Sequence, residues 1–396
     1  MVLGVKALQR GYVGIAVGAI SALAAVCIPA MHSQASPQLQ AAAATAQRGQ
    51  PVQTPRTPAP HPGQNANQPP IGRTPGAQPP VPLAERMARS ALQERVQELG
   101  RNFPGEVGIA VRDVDSSYVA SWNGGRLFPQ QSVSKFWVSL TALDAADRGR
   151  LDLDRPVTVR PGDLTLFNQP IAQQVGADGY RTTMNDLMFR AITRSDNTAN
   201  DFVLWQAGGP EAVRALIARA GIQGVRFGPG ERLLQSHIAG VRWNQAMSRN
   251  GGFEAARNAV PASTRRRLFE DYIDDPLDGA SVLGLTQGLA MLQRGELLSP
   301  SSTRRMLSIM SQTRTGPQRL TGGLAPGWRI AHKTGSGQVF NGTQAGYNDI
   351  GIITSPEGGT YALAVMIGRT SVPNQVRMSL MQNVTGAAIQ YDQTRR

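Results

Sequence analysis

The chain has 396 residues, of which 41% are hydrophobic, and its formal net charge is +13. This length and composition allow a substantial hydrophobic core. The excess of positive charge does not indicate nucleic-acid binding, because the arginines are dispersed, aromatic residues make up only 6% of the chain and no nucleic-acid-binding motif is present. The four histidines are scattered without metal-ligand spacing, so we expect neither a metal nor another cofactor.

The first 35 residues predict an export signal. Lys6 and Arg10 precede an apolar run that ends at Met31, and residues 33–35 provide a small-residue cleavage site. We therefore expect a periplasmic or secreted protein. In the alternative interpretation the segment is not cleaved and anchors the protein in the membrane, since the apolar run is close to spanning length.

Residues 36–82 predict a disordered linker. Pro, Gln, Ala, Gly and Thr dominate this segment, and it contains no acidic residue. Regular hydrophobic patterning begins at Leu83, so residues 83–396 are predicted to form the folded domain.

The folded domain begins with a predicted amphipathic helix from Leu83, followed by strand-like runs at 107–114 and 118–122. Helical spacing then predicts helices that begin near Ser132, Met184, Thr198, Pro210, Ser281 and Ser302. Three more strand-like runs follow, at 328–334, 349–354 and 361–367, before a last helix through 378–389. This order predicts an α+β fold, with one antiparallel sheet built from both ends of the domain, flanking terminal helices and an inserted all-helical lobe at about residues 132–325.

The first chemical motif is Ser132-Val133-Ser134-Lys135. The chain has three lysines against 37 arginines, and Arg does not lose its proton in proteins, whereas a buried Lys can act as a neutral base. A spacing of three residues on a helix places the Ser132 hydroxyl and the Lys135 amine on one face. The pair therefore predicts a serine nucleophile with a lysine base. Alone, the motif matches equally well a surface lysine after a helix-capping serine.

Two further motifs follow. Ser195-Asp196-Asn197 precedes a predicted helix, and alone it indicates only a helix N-cap. Lys333-Thr334-Gly335-Ser336 ends a predicted strand, where a glycine allows a ligand to lie against the backbone. Each motif is weak by itself, but the order and separation of all three are specific.

Together the three motifs resemble those of the penicillin-recognising serine enzymes, and among these the class A β-lactamases. The resemblance covers roughly residues 83–389 and includes Gly208-Gly209-Pro210, Asp275-Pro276 and Pro326-Gly327-Trp328. It implies a monomeric serine β-lactamase, whose partner is a small-molecule β-lactam and which hydrolyses the β-lactam amide bond through an acyl-enzyme.

The resemblance also implies roles for individual residues. Ser132 would be the acylated nucleophile, Lys135 its proton partner, and Ser195 the proton shuttle to the β-lactam nitrogen. The backbone N–H groups of Ser132 and Ser336 would form the oxyanion hole, which is usually the largest catalytic contribution. Asn197 would contact the substrate amide.

Four further positions would bind substrate by the same resemblance. Lys333 and Thr334 would bind the substrate carboxylate, since a point charge and a hydroxyl suit an anion. Gly335 would let the substrate lie along the strand. Phe167 would form an aromatic wall at the entrance.

The deacylation residues are where the chain departs from the family. Class A enzymes use a Glu and an Asn four residues later to hold the hydrolytic water. The count from Ser195 places that Glu at Glu231, followed by Gln235, which has the same amide chemistry. A long insertion extends this Ω-loop to about residues 226–278. It has its own pair, Glu254 and Asn258, which we interpret as an exposed helical face.

A second departure concerns an arginine that many members carry on the strand after Lys333, where this chain has Asn348-Asp349. Two alternative functions therefore stay open. One is a penicillin-binding peptidase, or another serine hydrolase, that acts on peptidoglycan. The other is a non-catalytic β-lactam or muropeptide sensor. A linker long enough to reach the cell wall favours these two.

Overall fold

The computed structural model describes residues 81–395. The predicted export signal and nearly all of the predicted linker lie outside the described residues. Within 81–395, no helix combines the length and the apolar character needed to cross a membrane.

Strands at both ends of this part of the chain flank a long, mainly helical middle section. Residues 81–395 contain eleven α-helices: α1 (Leu83–Asn102), α2 (Lys135–Asp147), α3 (Met184–Thr193), α4 (Asn197–Gln206), α5 (Gly209–Arg219), α6 (Glu231–Ala239), α7 (Gly252–Ala259), α8 (Ala262–Asp274), α9 (Val282–Gln293), α10 (Pro300–Met310) and α11 (Asn374–Thr394). The same residues contain ten β-strands: β1 (Glu106–Asp113), β2 (Val119–Trp122), β3 (Phe128–Pro129), β4 (Pro156–Val159), β5 (Tyr180–Thr183), β6 (Gly279–Ala280), β7 (Arg329–Ser336), β8 (Val339–Phe340), β9 (Thr343–Thr354) and β10 (Thr360–Thr370).

The main sheet is antiparallel and six-stranded, in the order β2-β1-β10-β9-β7, with β8 paired to β9. β1 and β2 come from the start of the domain and the other strands from its end, so the predicted α+β fold with a sheet built from both ends is confirmed. β7 is an edge strand of this sheet. Its free edge leaves room for a ligand to lie along the backbone.

Each face of the sheet packs against a different layer. In β10, Leu363 and Val365 belong to the core beneath the terminal helices α1 and α11, whereas Ala362 and Ala364 face the helical lobe. This alternation follows from the two-residue repeat of a strand and explains why residues Tyr361–Ile367 of β10 are all apolar.

α2 runs through the middle of the helical lobe. Eleven of its thirteen residues are buried, including Phe136 and Trp137. A helix that is apolar on every side is stable only inside a core. Its buried position fixes the N-terminal end, where Ser132 and Lys135 lie.

The lobe is not entirely helical. It also contains the antiparallel pair β4–β5, and β6 pairs with β3 beside the sheet. β4 is Pro-Val-Thr-Val, and its β-branched residues favour a strand. Each strand has only four residues. The alternation of polar and apolar residues over so short a segment cannot be distinguished from the surrounding helical pattern.

Candidate active site

Ser132 lies in a turn of 3₁₀ helix, Gln131–Ser134, which leads directly into α2. Lys135, the first residue of α2, is fully buried, and its Nζ donates a hydrogen bond to Ser132 Oγ over 2.8 Å. In a 3₁₀ turn, side chains three residues apart are aligned, so the predicted pairing of hydroxyl and amine is present. The Gln131 N–H donates to Asp278 Oδ2 (2.7 Å), and this bond holds the turn in place.

Glu231 is brought to the other side of the Lys135 amine. Glu231 Oε2 lies 3.2 Å from Lys135 Nζ, and only 7% of the Glu231 side chain is exposed. Gln235 Nε2 donates to Glu231 Oε1 (3.1 Å) and to Gln131 Oε1 (2.8 Å). A buried charged pair persists only when its remaining polar atoms are also hydrogen-bonded, and Gln235 provides that bond. The structure therefore joins Ser132, Lys135, Glu231 and Gln235 in one continuous network.

The backbone at the start of α6 determines where Glu231 lies. Gly230 has φ +96°, and an added Cβ would contact Leu204 Cδ2 at 3.2 Å. Only glycine adopts this conformation without strain. The Glu231 N–H donates to Asp201 Oδ1 over 3.0 Å, which ties α6 to α4.

Two buried carboxyl groups support this network. Burial, and then the negative charge of Glu231, raise the pKa of Asp201 to about 6. Burial likewise raises the pKa of Asp278 to about 6. Burial makes both groups costly to ionise, and the backbone N–H bonds that they accept offset part of this cost and hold the backbone in place.

We expect the stability of Asp201→Asn, measured relative to the wild type, to rise between pH 4 and pH 7.5. The folded-state pKa of Asp201 lies above its unfolded value, so its ionisation in the folded state costs free energy, and this cost grows between about pH 4 and pH 6. Between the two pH values, the difference in unfolding free energy should shift toward the variant by roughly 2–3 kcal/mol, since one pKa unit corresponds to about 1.4 kcal/mol. Urea unfolding at pH 4 and pH 7.5 measures this, and an equal difference at both pH values would contradict the explanation.

Ser195 and Lys333 meet on the opposite side of the site. Ser195 has φ +56°, and its Oγ accepts a hydrogen bond from Lys333 Nζ over 2.9 Å. Lys333 Nζ also donates to the Thr334 carbonyl oxygen (2.7 Å). Burial, followed by the charge of Lys135, holds the pKa of Lys333 well below its usual range. A lysine in this state can pass a proton through Ser195.

Asn197 contacts the segment that carries Phe167. Asn197 Nδ2 donates to the Leu166 carbonyl oxygen (2.9 Å), and its Oδ1 is buried without a hydrogen-bond partner in the described part of the chain. Phe167 has φ +57° and makes an edge-to-face contact with Phe253, with ring centroids 5.0 Å apart. Phe253 belongs to α7, so the inserted segment packs against Phe167.

Gly335 allows β7 to pass close to the nucleophile. An added Cβ at this position would lie 2.6 Å from the Gln130 carbonyl oxygen, which is closer than any side chain tolerates. The adjacent Ser336 is exposed. The free edge of β7 therefore runs beside the Ser132 turn, as the oxyanion-hole assignment requires.

Arg319 is a site residue that sequence reasoning missed. Its Nη2 donates to Ser336 Oγ (2.7 Å), its Nη1 donates to the Gly335 carbonyl oxygen (3.0 Å), and its Cζ lies 3.8 Å from the ring centroid of Tyr347. The expected arginine is absent from the strand after Lys333, and the guanidinium comes instead from the loop before β7. Among 37 arginines, no local pattern distinguishes this one.

The residues found in place of the expected arginine have structural roles. Asn348 Nδ2 donates to the carbonyl oxygens of Pro129 (2.7 Å) and Gln130 (3.1 Å), which ties β9 to the Ser132 turn. Asp349 Oδ1 lies 2.9 Å from Nδ1 of the buried His332.

The second Glu-Asn pair lies elsewhere. Glu254 and Asn258 are both exposed on α7. Glu254 lines a separate surface cavity together with Phe167. In residues 81–395, no group of three or more His, Cys, Asp or Glu side chains is arranged to hold a metal ion.

The family comparison is consistent with this geometry. Residues 91–391 match the family model described as the Beta-lactamase enzyme family. The fold and the site thus define an enzyme of the serine hydrolase class.

Individual relatives place the chain more closely. The extended-spectrum beta-lactamase PER-1 of Pseudomonas aeruginosa is 26% identical over 302 residues, which cover 76% of this chain and 87% of PER-1. A solved beta-lactamase from Chitinophaga pinensis has 26% identity and a TM-score of 0.62, over 75% of this chain and 97% of its own. An ancestral class A beta-lactamase has 26% identity and a TM-score of 0.58, over 75% of this chain and 98% of its own. The chain belongs to the beta-lactamase enzyme family, as a divergent class A member.

Proposed function

We propose that this protein hydrolyses the amide bond of β-lactams through an acyl-enzyme formed on Ser132. The observation that carries the proposal is the unbroken set of contacts from Ser132 Oγ through Lys135 Nζ to Glu231 Oε2. Such a network can remove the proton from a hydroxyl that is otherwise a weak nucleophile.

In acylation, Ser132 Oγ attacks the β-lactam carbonyl carbon and gives its proton to the Lys135–Glu231 pair. The carbonyl oxygen becomes negatively charged and is stabilised by the backbone N–H groups of Ser132 and Ser336. As the carbon–nitrogen bond breaks, Ser195 delivers a proton to the nitrogen. Its hydrogen bond with Lys333 supports this transfer.

The substrate carboxylate binds beside Lys333 and Thr334, near the C-terminal end of β7. Lys333 and Thr334 were expected there, and Arg319 adds a second cation beside Ser336. Thr334 Oγ1 lies 2.6 Å from Thr315 Oγ1, which orients the hydroxyl. Arginine keeps its charge in proteins, so this guanidinium attracts a carboxylate whatever the protonation state of Lys333.

In deacylation, Glu231 takes a proton from a water molecule, which then attacks the ester carbonyl. Gln235 helps to hold that water. Glu231 suits this role because it is buried, adjacent to Lys135 and held by the backbone of α6. Glu254, exposed on α7, has no such surroundings.

The same network favours hydrolysis over the two alternatives. A peptidoglycan peptidase and a muropeptide sensor would each acylate or bind at Ser132 without needing a carboxylate to release β-lactams quickly. The buried Glu231–Gln235 pair provides that carboxylate. In the proposed organisation, residues 1–35 direct export to the periplasm or the medium, 36–82 are a linker, and 83–396 form the catalytic domain.

The test is to mix the purified protein with a chromogenic cephalosporin and to record absorbance and intact protein mass together. Colour development with a transient mass increase supports a β-lactamase. A lasting adduct without turnover would identify a peptidase or a covalent sensor. The absence of both colour development and an adduct would contradict the proposal.

Lys135→Arg tests the role of the amine. Arginine keeps the positive charge but does not deprotonate, so we expect the acylation rate to fall by about 10²–10⁴. Rapid-quench intact-mass analysis measures this rate, with circular dichroism to verify folding. Acylation at close to the wild-type rate would show that the lysine acts only as a charge.

A further inference from the structure

The inserted segment, the end of α6 and the connection from β7 to β9 that contains β8 line a small, partly open cavity of about 160 Å³. We name it the arginine pocket, after Arg257 of α7 and Arg265 of α8, which line it together with Gln338 and Phe340. It is smaller than the roughly 300 Å³ at which pockets hold a whole drug-sized ligand. The arginine pocket therefore suits one substituent of a larger molecule.

The arginine pocket is positively charged. No acidic residue lines it, and in the described part of the chain neither arginine has a carboxylate partner. The Nε atoms of Arg257 and Arg265 are buried without a hydrogen-bond partner among those residues. Buried donors left unpaired are costly, and a carboxylate would satisfy a guanidinium through two parallel hydrogen bonds.

An aromatic ring orients the cations. The Cζ atoms of Arg265 and Arg266 lie 5.5 and 5.7 Å from the centroid of Phe340. Stacking on a ring leaves the edge of a guanidinium free to bind an anion. The charges are thus held at one wall of the pocket.

The arginine pocket adjoins the proposed active site. Gln338, in its lining, donates from Nε2 to Gln235 Oε1 (2.9 Å), and Gln235 contacts Glu231. Gln338 also lies two residues beyond Ser336, along the direction in which β7 runs. A substrate with its carboxylate at Lys333 and its reacting carbonyl at Ser336 would extend its acyl side chain toward Gln338.

We propose that the arginine pocket binds a carboxylate carried on the acyl side chain of the β-lactam, and so makes the enzyme selective for substrates with a second negative charge. This inference rests on the proposed function, because Ser132 and Lys333 position the substrate. The specificity-determining residues are Arg257 and Arg265, both supplied by the inserted segment.

The experiment compares two penicillins that differ by one carboxylate on the acyl side chain, carbenicillin and benzylpenicillin. We expect Arg265→Gln to lower the ratio of kcat/KM for carbenicillin to that for benzylpenicillin about tenfold. Arg265→Lys keeps the charge and should retain part of the preference. Added salt should reduce the preference of the wild type, since the pocket is partly exposed to solvent.

Arg267→Gln is the matched control. Arg267 lies on the same helix and pairs with Asp271 over 3.3 Å, and 65% of its side chain is exposed, so its loss should not change the ratio. An unchanged ratio in Arg265→Gln would overturn the inference, and so would an equal loss for both penicillins. If neither penicillin acylates the wild type or is hydrolysed by it, the proposed function itself is wrong. This outcome is recognised from the wild type alone, before any variant is made.

Discussion

Ser132→Ala is expected to abolish acylation and to reduce turnover by about 10³ or more, as nucleophile deletions do. The alanine leaves Lys135 and Glu231 in place but removes the atom that attacks the β-lactam carbonyl carbon. Steady-state hydrolysis of a chromogenic cephalosporin measures the loss, and intact mass should show no adduct.

Ser139→Ala provides a matched control for this change. Ser139 lies on α2, the helix that follows the Ser132 turn. Its hydroxyl is buried without a hydrogen-bond partner among residues 81–395. Its loss should leave turnover close to the wild-type level. A covalent adduct on Ser132→Ala would show that another residue is the nucleophile.

Glu231→Gln is expected to allow acylation but to slow deacylation by about 10²–10⁴, the usual effect of removing a general base. Glutamine preserves the size of the side chain and one acceptor for Lys135, but it does not take a proton from water. The variant should therefore accumulate a long-lived acyl-enzyme that intact mass reveals within minutes.

Glu254→Gln is the control for this second change, because its exposed carboxylate lies outside the network. It should behave as the wild type does. If the two variants behaved the other way round, the base would lie on α7; accumulation in the wild type itself would indicate a peptidase or a sensor.

The parts of the fold that could be predicted from sequence are those with a local pattern. β1 and β10 each contain a continuous apolar run, Val107–Val111 and Tyr361–Ile367, and the predicted strands at both ends of the domain meet in one sheet. β9 begins at Thr343, earlier than the predicted 349. The sequence did not indicate this early start because most of the first residues are polar and Gly346 has φ +92°. Such a stretch has no strand periodicity, and the pairing with β10 and β7 determines its conformation.

The candidate site likewise contains residues whose contact a local sequence pattern predicts and residues that only the fold brings together. Ser132 and Lys135 are close in sequence, and three residues of helical turn suffice to predict their contact. Glu231 was located by counting along a family pattern, and Gly230 with Asp201 explains physically why that position faces Lys135. Arg319 reaches Ser336 from a loop 17 residues away, and only the folded backbone brings the two together.

The most direct test of the central claim is peptide mapping of the acyl group in the wild type and in Glu231→Gln, quenched at several times after mixing with the same cephalosporin. The account predicts one acylated peptide, the one that contains Ser132, transient in the wild type and persistent in Glu231→Gln. An acyl group on another peptide, or equal persistence of the Ser132 ester in both proteins, would contradict it.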